Sequence, residues 1–183
     1  MFNKINILKP FFEDPLKQLG VRETSRIIKL SPATTSKKLK LLKKQGILEE
    51  NKFKNYILYK ANIENENYRD LKIYYNIKKI RESGLIEELN KFYNYPSIIL
   101  FGSHRYGYDY KESDIDLVII SENTKEFPRK TYFEKKFSKE LHLFPVKDLK
   151  FLKNEYLILN VLKGFELQGD IKRISKNVLK MVQ

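Results

Sequence analysis

Two short apolar runs, residues 98–101 and 117–120, enclose the stretch that most constrains how this chain folds. The first run ends at Gly102-Ser103, Gly107 lies in the middle, and Asp114-Ile115-Asp116 opens the second run. Apolar residues interrupted by glycine and polar residues predict strand, loop, strand. Glycine at the end of a buried strand lets backbone N–H groups come close to an anion, and the adjacent serine adds a hydroxyl donor. Such a corner can hold a triphosphate tail. Side chains alternate along a strand, so Asp114 and Asp116 face the same side as neighbours. Two carboxylates side by side repel unless a divalent cation takes oxygens from both and from phosphate, and Mg2+ is the expected ion. An isolated Asp-x-Asp also occurs at exposed strand starts, and a lone Gly-Ser means less still. The informative feature is their combination across two strands.

The N-terminal part has a different chemistry. Residues 1–64 carry 14 basic and 6 acidic side chains, against 22 and 17 in the remainder, within a total of +13. An excess of Lys and Arg suits a polyanion, because neutralised phosphates release counterions, although a basic surface can also be merely solvated. The hydrophobic periodicity predicts a first helix carrying Ile5, Leu8, Phe11 and Phe12, closed by Asp14-Pro15, and a short second helix over 21–30. Ser31-Pro32 supplies an N-cap and a first-turn proline for a third helix running to Gly46. A hairpin should follow, with a polar tip at Asn51-Lys52 between strands at 47–50 and 53–60. Three helices and a hairpin form a winged helix-turn-helix arrangement, and residues 19–48 resemble prokaryotic winged-helix DNA-binding domains. The resemblance implies that the helix beginning at Pro32 enters a major groove and presents some of Thr34, Thr35, Ser36, Lys37, Lys38 and Lys40 to DNA. Lys52 and Lys54 on the wing would touch the backbone beside it. Winged helices also serve as docking or dimerisation modules.

Further along, residues 66–82 form a Tyr-rich stretch at helical spacing that reads as a connecting helix. Tyr68, Tyr74 and Tyr75 are better suited to packing than to stacking on bases. The expected architecture is α+β, with a winged helix-turn-helix over 1–62, a connecting helix over 63–83 and a small mixed-sheet domain over 84–183.

The elements Gly102-Ser103, Gly107 and Ser113-Asp114-Ile115-Asp116-Leu117 together resemble the signature of the DNA polymerase beta-like nucleotidyltransferase superfamily, especially its minimal (MNT-type) members. The resemblance spans about 85–169. Members often carry a basic residue directly before the second glycine. Here Tyr106 occupies that place and Arg105 precedes it, so Arg105 is the candidate for the phosphate contact. The resemblance implies two Mg2+ ions shared among three carboxylates and the substrate phosphates. By position, Glu140 is the third acid, opening a strand over 140–144 after a helical stretch at 129–139. His142 would face the same side as Glu140, although a lone strand histidine is usually a packed or surface residue. The reaction implied is transfer of a nucleoside monophosphate, with ATP as donor, to a hydroxyl, releasing pyrophosphate. Gly102 and Ser103 would bind the outer phosphates.

Beyond residue 140 the pattern suggests a helix over 146–163, a strand at 165–167 and a terminal basic helix. No primer-binding subdomain is expected, so template-directed polymerisation is not. Small members of the family include antitoxins that adenylylate a tyrosine on a HEPN-type RNase toxin, which makes such a toxin the expected partner. DNA would be bound through the winged helix, as a homodimer. Two other readings stay open. One is a DNA-binding regulator whose second domain only senses nucleotide or dimerises. The other is a nucleotidyltransferase acting on nucleic-acid ends.

Composition sets the outer limits. The absence of cysteine excludes disulfides, thiolate zinc sites and cysteine nucleophiles. No apolar run approaches the ~18 residues of a membrane span, and residues 1–4 lead straight into an amphipathic pattern rather than a signal core. A cytoplasmic protein with no membrane association is therefore expected.

Overall fold

The computed structural model describes residues 2–152 and 154–170. The chain divides into two compact units, residues 1–75 and 76–183, and the fold is mixed α+β. Among the described residues no helix is long and apolar enough to cross a membrane.

The first unit begins with α1 (Phe2–Glu13), the two-residue strand β1 (Leu19–Gly20), α2 (Val21–Ile28) and α3 (Pro32–Lys44). The expected start of α3 is seen in detail. The Ser31 hydroxyl accepts from the Thr34 N–H at 3.2 Å, and Pro32 occupies the first turn, where a missing donor costs nothing. Gly46, at φ +72°, carries the chain out of the helix through the left-handed region. A hairpin follows, β2 (Leu48–Phe53) and β3 (Tyr56–Ala61), and β1 pairs with β3 to give the sheet order β1-β3-β2. The hairpin tip differs from expectation. Asn51 and Lys52 remain in register with Leu58 and Ile57, and the turn falls at Lys54-Asn55, with Lys54 at φ +52°.

The core of this unit joins Leu8, Phe11 and Phe12 of α1 to Leu39, Leu42, Leu48, Tyr59 and Tyr68. Tyr68 lies on α4 (Glu66–Arg81), where a connecting helix was expected. The early part of α4 belongs to the first unit and its remainder to the second. Phe12 packs on Tyr68 and Tyr75 at 5.5 and 5.1 Å between ring centroids, so these tyrosines are packing residues. The buried Tyr68 hydroxyl donates to the Phe11 carbonyl at 2.8 Å. Tyr68→Phe removes that donor and leaves a buried carbonyl short of a partner, which should cost about 1–2 kcal/mol and show as a lower urea midpoint at unchanged m.

The second unit continues with α5 (Leu85–Tyr93), β4 (Ser97–Phe101), the single-turn helix α6 (Gly102–Tyr106), β5 (Ile115–Ile120), α7 (Lys130–Phe137) and β6 (Leu141–Val146). A 3-10 turn (Leu149–Phe151), α8 (Glu155–Leu162) and β7 (Phe165–Gln168) complete it. The sheet order is β6-β5-β4-β7, with β5 and β6 parallel and the other pairs antiparallel. Two expectations are corrected. The segment after Glu140 stays extended through Pro145 and Val146, passes through the 3-10 turn and becomes α-helical only at Glu155, where the Asn154 side chain caps the turn. The Gly102-Ser103 corner is a helical turn rather than an open loop. The expected terminal helix lies outside the described residues.

Alternation decides what each face of the sheet carries. Ile99 and Phe101 of β4 and Val118 of β5 are buried with Leu149, Leu152 and Val161, and Ile120, Phe144 and Val146 pack against that cluster. Asp116, two residues before Val118, lies on this same face. The opposite set, Ile98, Leu100, Leu117 and Ile119, is fully buried. Both faces of β4 and β5 are thus filled mainly with apolar side chains, and at the Phe101 end the Asp116 carboxylate projects among them.

Candidate active site

The site forms at one end of the central strands. Phe101, Asp116 and His142 are successive partners across β4, β5 and β6, so the aspartate and the imidazole stand side by side on one face. Asp114 precedes β5, and the Ile115 N–H donates to the Glu140 carbonyl at 2.9 Å, which fastens the two strand entrances together.

Gly102 shapes the corner. Its φ of +69° is a conformation that glycine adopts without strain. A Cβ built there would lie 2.2 Å from Asp116 Oδ2, so the carboxylate fills the space that a side chain would need. Ser103 follows, and its carbonyl accepts from the N–H groups of Gly107 and Tyr108, drawing the next loop into a compact turn. Gly107 ends the turn at φ +70°. The Arg105 guanidinium lies 5.4 Å from the Tyr106 ring centroid, and its Nε is buried without a hydrogen-bond partner among the described residues. Beneath the loop, the Asn76 amide donates to Asp109 Oδ1 at 2.7 Å and to the His104 carbonyl at 3.1 Å. His104 Nε2 lies 3.5 Å from Asp109 Oδ2, both side chains being buried. This polar network ties the loop to α4.

The charged groups converge on His142. Its Nδ1 lies 3.2 Å from Asp116 Oδ1 and 3.7 Å from Asp114 Oδ2, while Nε2 lies 3.7 Å from Glu140 Oε2. Asp114, Glu140 and His142 each offer a ligand atom within 4.8 Å of the others. Exposure grades across the group: the side chains of Asp116, Asp114, His142 and Glu140 are 22%, 38%, 40% and 77% exposed. Burial raises the Asp116 pKa above the ordinary carboxylate value, the His142 hydrogen bond and charge oppose this, and the Asp114 charge reinforces it. Two carboxylates and an imidazole, partly open to solvent, are a suitable donor set for a divalent cation.

The expected site residues are therefore distributed unevenly. Gly102, Asp114 and Asp116 come together, with Ser103 beside them in the chain. Glu140 stands at the outer edge, one residue before β6 begins, and the residue paired with Asp116 is His142. From the sequence His142 was expected on the same side as Glu140, as a packed or surface residue. Residues 82–180 match the nucleotidyltransferase domain family. The chain belongs to that family. The glycine-serine corner and the two aspartates thus lie within a nucleotidyltransferase domain. A solved structure described as a toxin-antitoxin with AMP-PNP is similar at 20% identity and a TM-score of 0.45, covering 58% of this chain and 84% of that one. No curated protein matches the chain.

In the first unit the groove-facing expectation meets one correction. Thr35 is buried and its hydroxyl donates to the Ser31 carbonyl at 2.9 Å, so it is not available to bases. Thr34, Lys37, Lys40, Lys52 and Lys54 are exposed, and Ser36 and Lys38 are half-buried.

Proposed function

We propose that the second unit transfers a nucleoside monophosphate, with ATP as donor, to a hydroxyl on a partner protein. The observation that carries this reading is the contact of Gly102 with Asp116: a backbone able to approach phosphate lies directly against a carboxylate able to hold the phosphate's counter-ion. The Gly102 N–H and the Ser103 hydroxyl bind the outer phosphates, and Arg105 adds charge from the turn. Asp114 and Asp116 would hold the divalent cations, two in number on the sequence resemblance, with Glu140 as the third acidic group at the margin. Bound cations would neutralise the phosphate charge and lower the pKa of the acceptor hydroxyl. The acceptor oxygen then bonds to the α-phosphorus, the bond to the bridging oxygen breaks, and pyrophosphate departs. The hydroxyl proton passes to a nearby carboxylate or to water. A tyrosine on a HEPN-type toxin is the acceptor that the sequence resemblance favours.

Full-length protein incubated with ATP labelled at the α-phosphate and a divalent cation should place AMP on a protein hydroxyl, and Asp114→Asn should abolish the label. Label found instead on a nucleic acid, or no Asp114-dependent label on any acceptor, would overturn protein modification.

We further propose that the first unit is a winged helix that binds DNA. The exposed cations of α3 and of the hairpin tip support this reading. Replacing Lys37 and Lys40 together by Ala should weaken binding to all duplexes alike and reduce the slope of log Kobs against log salt by about two. An unchanged slope would remove these residues from the interface.

A further inference from the structure

The parallel register of β5 and β6 puts His142, not Glu140, directly across from Asp116. We infer that His142 is an inner metal ligand through Nδ1, alongside Asp114 and Asp116, that Glu140 is its orienting carboxylate at Nε2, and that the centre consequently favours Mn2+ over Mg2+. This deepens the proposed reading of the same site and rests on it.

Three observations carry the inference. First, both aspartates approach the same ring nitrogen, Nδ1, at 3.2 and 3.7 Å, spacings suited to donor atoms that share one cation. Second, Glu140 approaches the other nitrogen, at 3.7 Å. A neutral imidazole with its proton on Nε2 presents the Nδ1 lone pair to a cation and can donate Nε2–H to a carboxylate. That outer partner fixes the tautomer and the ring plane. Third, the half-exposed His142 ring is steadied on its inner side by Phe144, edge-on at 6.4 Å between centroids.

The choice of metal follows from the donors. Mg2+ binds almost entirely through oxygen, gains most from carboxylate charge and loses water reluctantly. Replacing one anionic oxygen ligand by a neutral nitrogen lowers the charge of the site and introduces a softer donor. Both changes weaken Mg2+ more than they weaken Mn2+.

The test uses full-length protein and Mn2+ alone, read by electron spin-echo modulation. Wild-type protein should show coupling to an imidazole nitrogen that changes from the 14N to the 15N pattern when only histidine is 15N-labelled. His142→Asp should still bind Mn2+ without that coupling, and its preference for Mn2+ over Mg2+ in competition should fall about tenfold. Glu140→Gln should keep the coupling while binding Mn2+ on the order of 10-fold more weakly. Absence of coupling in the wild type, coupling that persists in His142→Asp, or failure of the wild type to bind Mn2+ would each overturn the inference. The two readings fail separately. Nitrogen coupling without AMP transfer counts against the proposed reaction, whereas AMP transfer without nitrogen coupling counts against this ligand set.

Discussion

Asp116→Asn should lower AMP transfer by on the order of 10³-fold or more and should also raise the melting temperature of the metal-free protein by a few degrees. The two effects have one cause. Asp116 sits on the face occupied by Val118 and Ile120, and burial holds its pKa above the ordinary carboxylate value, with Asp114 adding to the rise. The folded state therefore binds this proton more tightly than the unfolded chain does. As pH climbs from the ordinary carboxylate value through the raised one, the folded protein loses stability. His142 limits that loss, since its hydrogen bond and charge favour the ionised form. Asparagine keeps the shape without the charge, so it removes both the proposed metal ligand and the destabilising ionisation. Calorimetry at neutral pH without metal, paired with the labelled-ATP assay, checks both halves. A lower melting temperature for Asp116→Asn would show that the ionised carboxylate stabilises the fold.

Gly102→Ala should be nearly as damaging to activity and, in contrast, harmful to stability. An alanine at φ +69° costs about 1–2 kcal/mol from backbone sterics alone. Its methyl group would also displace the Asp116 carboxylate, whose Oδ2 is 2.2 Å from the ideal Cβ position. A shift of about 1 Å in such a group can cost 10²-fold in rate. Gly84→Ala is the control, because Gly84 has φ +83° but nothing within 4 Å of its ideal Cβ. It should show the backbone penalty and keep full activity. Equal activity losses in the two variants would mean that the Gly102 contact does not position the aspartate.

What the sequence made legible were the local features. Ser31-Pro32 marks the start of α3, and the apolar runs at 98–101 and 117–120 mark the central strands, one leading into Gly102 and the other holding Asp116. Features set by pairing between distant segments were not legible. Leu19 and Gly20 are too few to show a period, and only pairing with Tyr59 and Leu58 makes them a strand. Asn51-Lys52 has the composition of a turn, yet cross-strand pairing carries β2 on to Phe53 and moves the reversal to Lys54-Asn55. The choice between Glu140 and His142 turns on register. Both face the same side, and only the alignment of β6 against β5 determines which one meets Asp116. The strand expected over 140–144 continues through Pro145 to Val146, since an edge strand tolerates one missing donor.

The strand order β6-β5-β4-β7 gives the proposed ligands unequal anchorage. Asp116 belongs to a strand bonded on both sides, where amide hydrogens should exchange only through the deepest openings of the domain. His142 belongs to a border strand that can peel away at much lower cost. Metal capture would then act as a clasp between an immobile centre and a looser margin, slowing deuterium uptake along residues 141–146 while leaving β4 almost unchanged.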